Sequence, residues 1–354
     1  MKKYILAMSA AALISMTAGA AQAATKVCFL YVGSKTDGGW TQAHDIGRQE
    51  LQNHFGDKVE TVYLENVPEG PDAERAIERL ARSGCELVFT TSFGFMDPTI
   101  KAAEKFPDVK FEHATGYKTA DNVTTYNSRF YQGRYISGMI AGKVSEKGVA
   151  GYIASFPIPE VVQGINAFLL GAQSVNPDFT IKVVWVNSWF DPGKEADAAK
   201  ALIDQGVDIL TQHTDSTAPM QVAAERGIKA FGQASDMIEA GPETQLTAIV
   251  DTWGPYYIKR TQAVMDGTWE SLSSWDGLAE GILTMAPYTN MPDDVKQMAE
   301  ELEAKVATGE VNPFTGPINK QDGSVWLKEG EVSDDGTLLG MNFYVEGVDD
   351  QLPN

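Results

Sequence analysis

The chain is predicted to be an α/β protein of two similar lobes, each a parallel sheet with helices on both faces. Three observations predict it. Strand and helix patterns alternate along most of the chain, the strands are continuous apolar runs, and the order of elements repeats after about 121 residues. A continuous apolar run is what a parallel strand covered on both faces requires. Alternation of strand and helix supplies the covering.

The first strand is "KVCFLYVG" (26–33), followed by a helix over about 39–54 and the strand "ETVYLEN" (60–66). In "DAERAIERLARSG" (72–84), Ala73, Ala76, Ile77, Leu80 and Ala81 share one helical face, and Gly84 is a C-terminal stop signal. "ELVFTTS" (86–92) is the third strand. The same order returns as "VAGYIAS" (149–155), a helix over about 160–175, "IKVVWVN" (181–187), "KEADAAKALIDQG" (194–206) and "VDILTQH" (207–213). Even "PTIKAAEKF" (98–106) aligns with "PMQVAAERG" (219–227) at the same offset. A structural duplication without shared purpose would leave this pattern. So would two lobes facing one cleft, and open parallel sheets bind ligands beyond the carboxyl ends of their strands.

The chain opens "MKKYILAMSAAALISMTAGAAQA", a secretory leader with cleavage expected after Ala23. No cysteine stands at the new N-terminus, so no stable membrane anchor is expected, and no later stretch is long and apolar enough to span a bilayer. With 48 Asp plus Glu against 28 Lys plus Arg, nucleic acid and anionic membranes are poor partners. Cys28 and Cys85 lie near the starts of strands that can be neighbours, and an oxidising compartment allows either a disulfide or two buried thiols.

Every strand-end loop carries an aromatic or ionisable side chain that a sheet does not need. They are "SKTDGGW" (34–40) with Asp37 and Trp40, "TSFGF" (91–95) with Phe93 and Gly94, "SFPIPE" (155–160), "NSWFDPGKE" (187–195) and "QHTDSTAP" (212–219) with His213 and Asp215. Asp191 and Pro192 read as a helix N-cap and first helical residue, which puts Trp189 just before the helix, at the cleft mouth. Each tryptophan alone reads equally as a loop anchor. As a pair on two lobes, Trp40 and Trp189 suit opposite faces of one flat ligand, and Asp37, Asp215, Asp236 and Asp251 supply acceptors for a donor-rich one.

Catalytic chemistry finds little support. The four histidines, His44, His54, His113 and His213, are scattered; His44 and His54 read as a solvated helix face, and His213 with Asp215 is too small a set for a closed zinc site. No nucleophile elbow or phosphate loop is present, and no cofactor or metal is expected.

With these loops placed, the sequence resembles the basic membrane protein family of solute-binding proteins for ABC transporters, whose relatives include purine-nucleoside-binding lipoproteins. The resemblance rests on "DGGW" (37–40), "FGFMDP" (93–98), "FYQGRYISGMIAG" (130–142), "NSWFDPGKEADAAKAL" (187–202) and "GQASD" (232–236). It implies two Rossmann-like lobes joined by a three-crossover hinge, the type I periplasmic binding protein fold. It also implies that Trp40 and Trp189 are the stacking aromatics, that Thr41 stands where an asparagine meets the ligand, and that Asp236 lies near ribose or base. Where nucleoside binders have a lysine, "LTAIVDTW" (246–253) offers Asp251, and both stacking positions hold the larger Trp. These departures favour a bare purine base, adenine above others, over a nucleoside.

The expectation is therefore a periplasmic, monomeric receptor that hands a small molecule to an ABC permease. A sugar receptor of the same fold and a secreted nucleoside hydrolase are the alternatives. Crossings are expected near 126–130, 245–250 and 273–277. They divide the chain into a leader (1–23), lobe one (24–127), lobe two (128–247), a return to lobe one (248–275) and completion of lobe two (276–354), with the turn-rich tail (311–348) packing as a hairpin on lobe two.

Overall fold

The computed structural model describes residues 23–353; the export leader read in the sequence lies, up to residue 22, outside the described residues. The first half of the chain forms β1 (Thr25–Leu30), α1 (Trp40–Phe55), β2 (Val59–Leu64), α2 (Pro71–Arg82), β3 (Leu87–Thr90), α3 (Met96–Lys105), β4 (Lys110–Ala114) and β5 (Val123–Ser128). After α4 (Tyr131–Val144) come β6 (Val149–Ala154), α5 (Pro159–Gln173), β7 (Thr180–Trp185), α6 (Pro192–Asp204), β8 (Ile209–His213), α7 (Ala218–Arg226), β9 (Lys229–Ala234) and β10 (Gln245–Asp251). The first sheet runs β5-β4-β3-β1-β2 and the second β10-β9-β8-β6-β7, so one strand order is used twice. The pairings within both sets are parallel.

The helices α4 and α8 (Gly254–Met265) follow equivalent strands and change sides. The former packs on α5 of the second sheet, the latter on α1 of the first. β11 (Ser274–Asp276) then joins the first sheet beside β5, and β12 (Leu283–Met285) the second, antiparallel to β10. The connections by which the chain passes from one sheet to the other, after β5, after β10 and between β11 and β12, are the hinge. β10 stays in the second sheet to Asp251, beyond the switch expected after residue 247.

The remaining chain covers the second sheet. α9 (Asp293–Ala307) is followed by the antiparallel pair β13 (Ile318–Asn319) and β14 (Val325–Leu327), α10 (Asp335–Leu339) and β15 (Val348–Asp349). The tail is thus more than a hairpin, since β15 adds in parallel to the edge strand β7.

Local chemistry explains these elements. α2 buries Ala73, Ile77, Leu80 and Ala81 on one face, and β3 is buried throughout. Cys28 in β1 and Cys85 just before β3 are joined as a disulfide in the core between sheet and helices. The return of α8 to the first lobe is held by a buried carboxylate. Glu112 of β4 accepts from Arg260 Nε, from Tyr256 Oη at 2.7 Å and from Trp269 Nε1 at 2.6 Å. His44 departs from expectation: its ring is buried and stacked on Trp253 at 4.8 Å, with Nδ1 against Tyr257 Oη, whereas His54 is exposed. The helix face that carries His44 is the one α8 covers, a contact that helix periodicity alone does not reveal.

Candidate functional site

Between the sheets lies a cavity lined by Val32, Trp40, Ser92, Phe93, Thr115, Glu160, Trp189, His213, Asp215 and Gln233. Both lobes contribute, and both do so through strand ends and the loops that follow them.

Trp40 is the first residue of α1, and the two glycines before it have separate reasons. Gly38 has a φ of +93°, a backbone that side chains with a Cβ rarely adopt. A Cβ on Gly39 would lie 2.8 Å from the Asp215 carbonyl oxygen, so only glycine lets the first lobe's loop meet the second lobe. The Trp40 indole is held by donation from Nε1 to the Thr91 carbonyl at 2.7 Å and by edge contacts with His44 and Trp253. Trp189 is set from the other side. Asp191 caps α6 by accepting from Lys194 N at 3.1 Å, with Pro192 next in the helix, and Asp215 N donates to the Trp189 carbonyl at 2.9 Å. Its ring leans on Phe156 at 5.0 Å.

The lobes are in contact around this space. Trp189 Nε1 donates across to Glu69 Oε1 at 3.3 Å, Trp40 N approaches Asp215 Oδ1 at 3.4 Å, and Ser235 Oγ donates to the Gly38 carbonyl. Glu69 is itself held on the first lobe by Ser92 Oγ at 2.5 Å and Gly94 N at 3.1 Å.

Buried acids dominate the electrostatics. Burial pushes the Asp215 carboxyl well above the usual range, and the nearby Asp37 and Glu195 charges push the same way. Burial likewise raises Glu160 to about 7, opposed by Arg134. His213 Nε2 stands 3.8 Å from Glu160 Oε1, too far for a hydrogen bond, and burial keeps the ring neutral. Carboxyls raised in this way can hold a proton and donate it as well as accept, so they can meet either kind of polar group on a ligand.

Of the residues singled out from sequence, Trp40, Phe93, Trp189, His213 and Asp215 line the cavity together. The others do not. Asp37 turns back to cap α1, accepting from Gly39 N, Thr41 N and Gln42 N at 2.9 to 3.0 Å, because three unpaired helix-start N–H groups lie within its reach. Thr41 is fully buried against this cap, and Gly94 is engaged with Glu69. Asp236 is exposed and accepts from Gln245 Nε2 and Ile238 N, since the backbone turns at Ala234 with a φ of +58°. Asp251 ends β10 behind the cavity; its buried oxygens meet no hydrogen-bond partner, and burial raises its carboxyl well above the usual range, with Ser128 beside it opposing. Sequence reasoning passed over Glu160, Gln233, Ser92, Thr115 and Val32. Thr115 and Gln233 sit at the ends of β4 and β9, where the strand-end rule would have found them.

Among the described residues no three His, Cys, Asp or Glu side chains gather as metal ligands, and no helix is long and apolar enough to cross a membrane. Comparison with known proteins adds a consistent set of likenesses. The family model for PnrA-like ABC transporter substrate-binding proteins, Bmp, matches residues 24–313. The chain is 71% identical over 340 residues to a purine-binding protein of Brucella abortus, covering 96% of this chain and 97% of that one. It is 37% identical to a putative ABC transporter glucose-binding protein of Haloferax volcanii, covering 92% of this chain and 81% of that one. The crystal structure of an ABC transporter solute-binding protein from Aeropyrum pernix superposes with a TM-score of 0.72 at 19% identity, covering 89% of this chain and 95% of that one, which shows the shared fold of type I periplasmic binding proteins.

Proposed function

The chain belongs to the family of PnrA-like ABC transporter substrate-binding proteins, and from that premise we propose that it is a periplasmic receptor for a purine base, with adenine preferred over purine nucleosides. Family membership gives it a small-molecule ligand and a transporter partner, and sets aside the nucleoside hydrolase alternative. In this reading the leader is removed after Ala23 and the mature protein is a monomer without a membrane anchor. Lobe one comprises 24–127 and 248–275, lobe two 128–247 and 276–354, save that β10 keeps 248–251 with lobe two.

The observation that carries the reading is the pair of indoles. Trp40 and Trp189, from different lobes, line one cavity beside the buried carboxyl of Asp215. Two aromatic planes clamp a planar heterocycle, and stacking is worth ~1 to 3 kcal/mol per base. Asp215 has one long contact of its own, from Trp40 N at 3.4 Å, which leaves it ready to accept from a ring N–H or an amino group. His213 and Phe93 complete the wall. The bare base is favoured over the nucleoside by the two bulky indoles that line the cavity. The 71% identical relative is itself described as purine-binding, which supports the same class. The Haloferax relative's description as glucose-binding keeps a sugar as the second reading.

Calorimetric titration of ligand-stripped protein with adenine, guanine, hypoxanthine, adenosine, ribose and glucose tests this. Adenine is expected to bind most tightly, and Trp189→Ala to weaken it by ~1 to 3 kcal/mol, about five- to 150-fold. Tighter binding of ribose or glucose than of any purine would replace the purine reading with the sugar one.

A further inference from the structure

We propose that Arg134 is a positioning residue that turns the amide of Gln233 so that its NH2 group faces the cavity, where it reads a hydrogen-bond acceptor on the ligand. The proposal rests on the purine reading for the identity of that acceptor.

Gln233 lies near the end of β9, lines the cavity and is 2% exposed. Arg134 comes from α4, the helix that has crossed from the first sheet to the second, and is fully buried. Its Nη2 donates to Gln233 Oε1 and, at 2.5 Å, to the Gln212 carbonyl, while Nη1 donates to Thr211 Oγ1 at 2.8 Å. A guanidinium carries donors only, so the amide atom that meets it must be the oxygen. A carboxamide can otherwise rotate half a turn and offer either end. Here the rotated form would set two donors against each other in a buried site.

The Gln233 NH2 group therefore faces away from Arg134, and among the described residues it donates to no protein group. Arg134 itself makes no ion pair within 4.0 Å among the described residues; it is packed between the rings of Phe130 and Tyr152 at 4.9 and 5.2 Å. A buried guanidinium without a carboxylate partner is uncommon, and orienting Gln233 gives it a role that a packed apolar side chain could not fill.

The chemical consequence concerns ligand class. Asp215 and Glu160 are acceptors when ionised, so a fixed donor at Gln233 adds the complementary kind of contact. A hydroxyl can serve either kind by rotating and gains little from a fixed donor. An unprotonated ring nitrogen can only accept, and needs one. Gln233 thus selects a heteroaromatic base presenting a bare nitrogen at that point.

The test is calorimetric titration of adenine and its 1-, 3-, 7- and 9-deaza analogues into wild type, Gln233→Glu and Arg134→Met. Glu at 233 keeps the size of the side chain and its contact with Arg134 but removes the donor. In wild type, one analogue is expected to bind about ten- to a hundredfold more weakly than adenine. In Gln233→Glu the ratio for that analogue should fall close to one, and in Arg134→Met, or in Arg134→Lys if the former does not fold, it should shrink. A ratio that Gln233→Glu leaves unchanged for every ring nitrogen overturns the donor assignment while the purine reading stands. A ratio that collapses in Gln233→Glu but survives the Arg134 variants overturns the positioning role. No adenine binding by wild type overturns both this inference and the purine reading.

Discussion

Glu160 shows how one cavity side chain links the site to stability. It stands in the first turn of α5, with His213, Arg134, Tyr152 and Asp251 among the titratable groups around it, and burial raises its carboxyl from 4.5 to about 7. A carboxyl with a raised pKa binds its proton more tightly in the folded chain than in the unfolded one. Stability contributed by the proton is complete below about 4.5 and is lost as pH rises towards 7. Ligand-free protein should therefore lose stability across that window, by at most ~3 to 4 kcal/mol at about 1.4 kcal/mol per pKa unit. Urea denaturation at a series of pH values should show a shallower slope in Glu160→Gln than in wild type; identical slopes would mean that another group carries the dependence. At Asp37 burial also raises the carboxyl, but three helix-start N–H groups that donate to it oppose the rise.

The packing of α8 on the first sheet depends on one ionic cluster. Glu112 is fully buried, burial raises its carboxyl, and Arg260 is the principal opposing influence. Arg260→Met would leave that carboxylate with only the Tyr256 hydroxyl and the Trp269 indole. Removing one partner of a buried pair costs ~3 to 5 kcal/mol, and Glu112→Gln in the same chain should restore part of it. Chemical denaturation measures both; a loss under ~1 kcal/mol would show that packing alone returns α8 to this lobe. The site would feel the change, because α8 covers the face of α1 that bears His44, and His44 in turn supports the Trp40 ring.

The molecule as described is closed, with the lobes joined across the cleft by Ser235 to Gly38, Trp40 to Asp215 and Trp189 to Glu69. Glu69 is a latch: three groups converge on one of its oxygens, two from its own lobe and one from the facing tryptophan. If the lobes part on the hinge this contact between them is lost, so its energy favours the closed state and should slow ligand release. Glu69→Ala should weaken adenine binding by ~0.5 to 1.5 kcal/mol, about two- to tenfold, chiefly through faster dissociation in stopped-flow measurements. The radius of gyration from small-angle scattering should still contract when adenine is added. An unchanged dissociation rate would remove Glu69 from the closing contacts.

Periodicity and order were readable from the residues alone. Apolar runs, helix faces and an offset of about 121 residues are properties of neighbours along the chain, and from them follow the parallel sheets, their duplication and a cleft at the strand ends. The two tryptophans were legible for the same reason, since each stands where a strand-end loop meets a helix start. Which loop side chains enter the cavity was settled by folding, because a polar side chain turns to the nearest unpaired partner in space. Asp37 and Asp236 found backbone N–H groups beside them and turned away. Gln233 met Arg134, 99 residues distant in sequence, and was turned by it. Cys28 and Cys85 found each other through the β1–β3 pairing that sets their strands side by side. Long-range partners of this kind leave no periodic trace in a single sequence, so they appear only when the chain is folded.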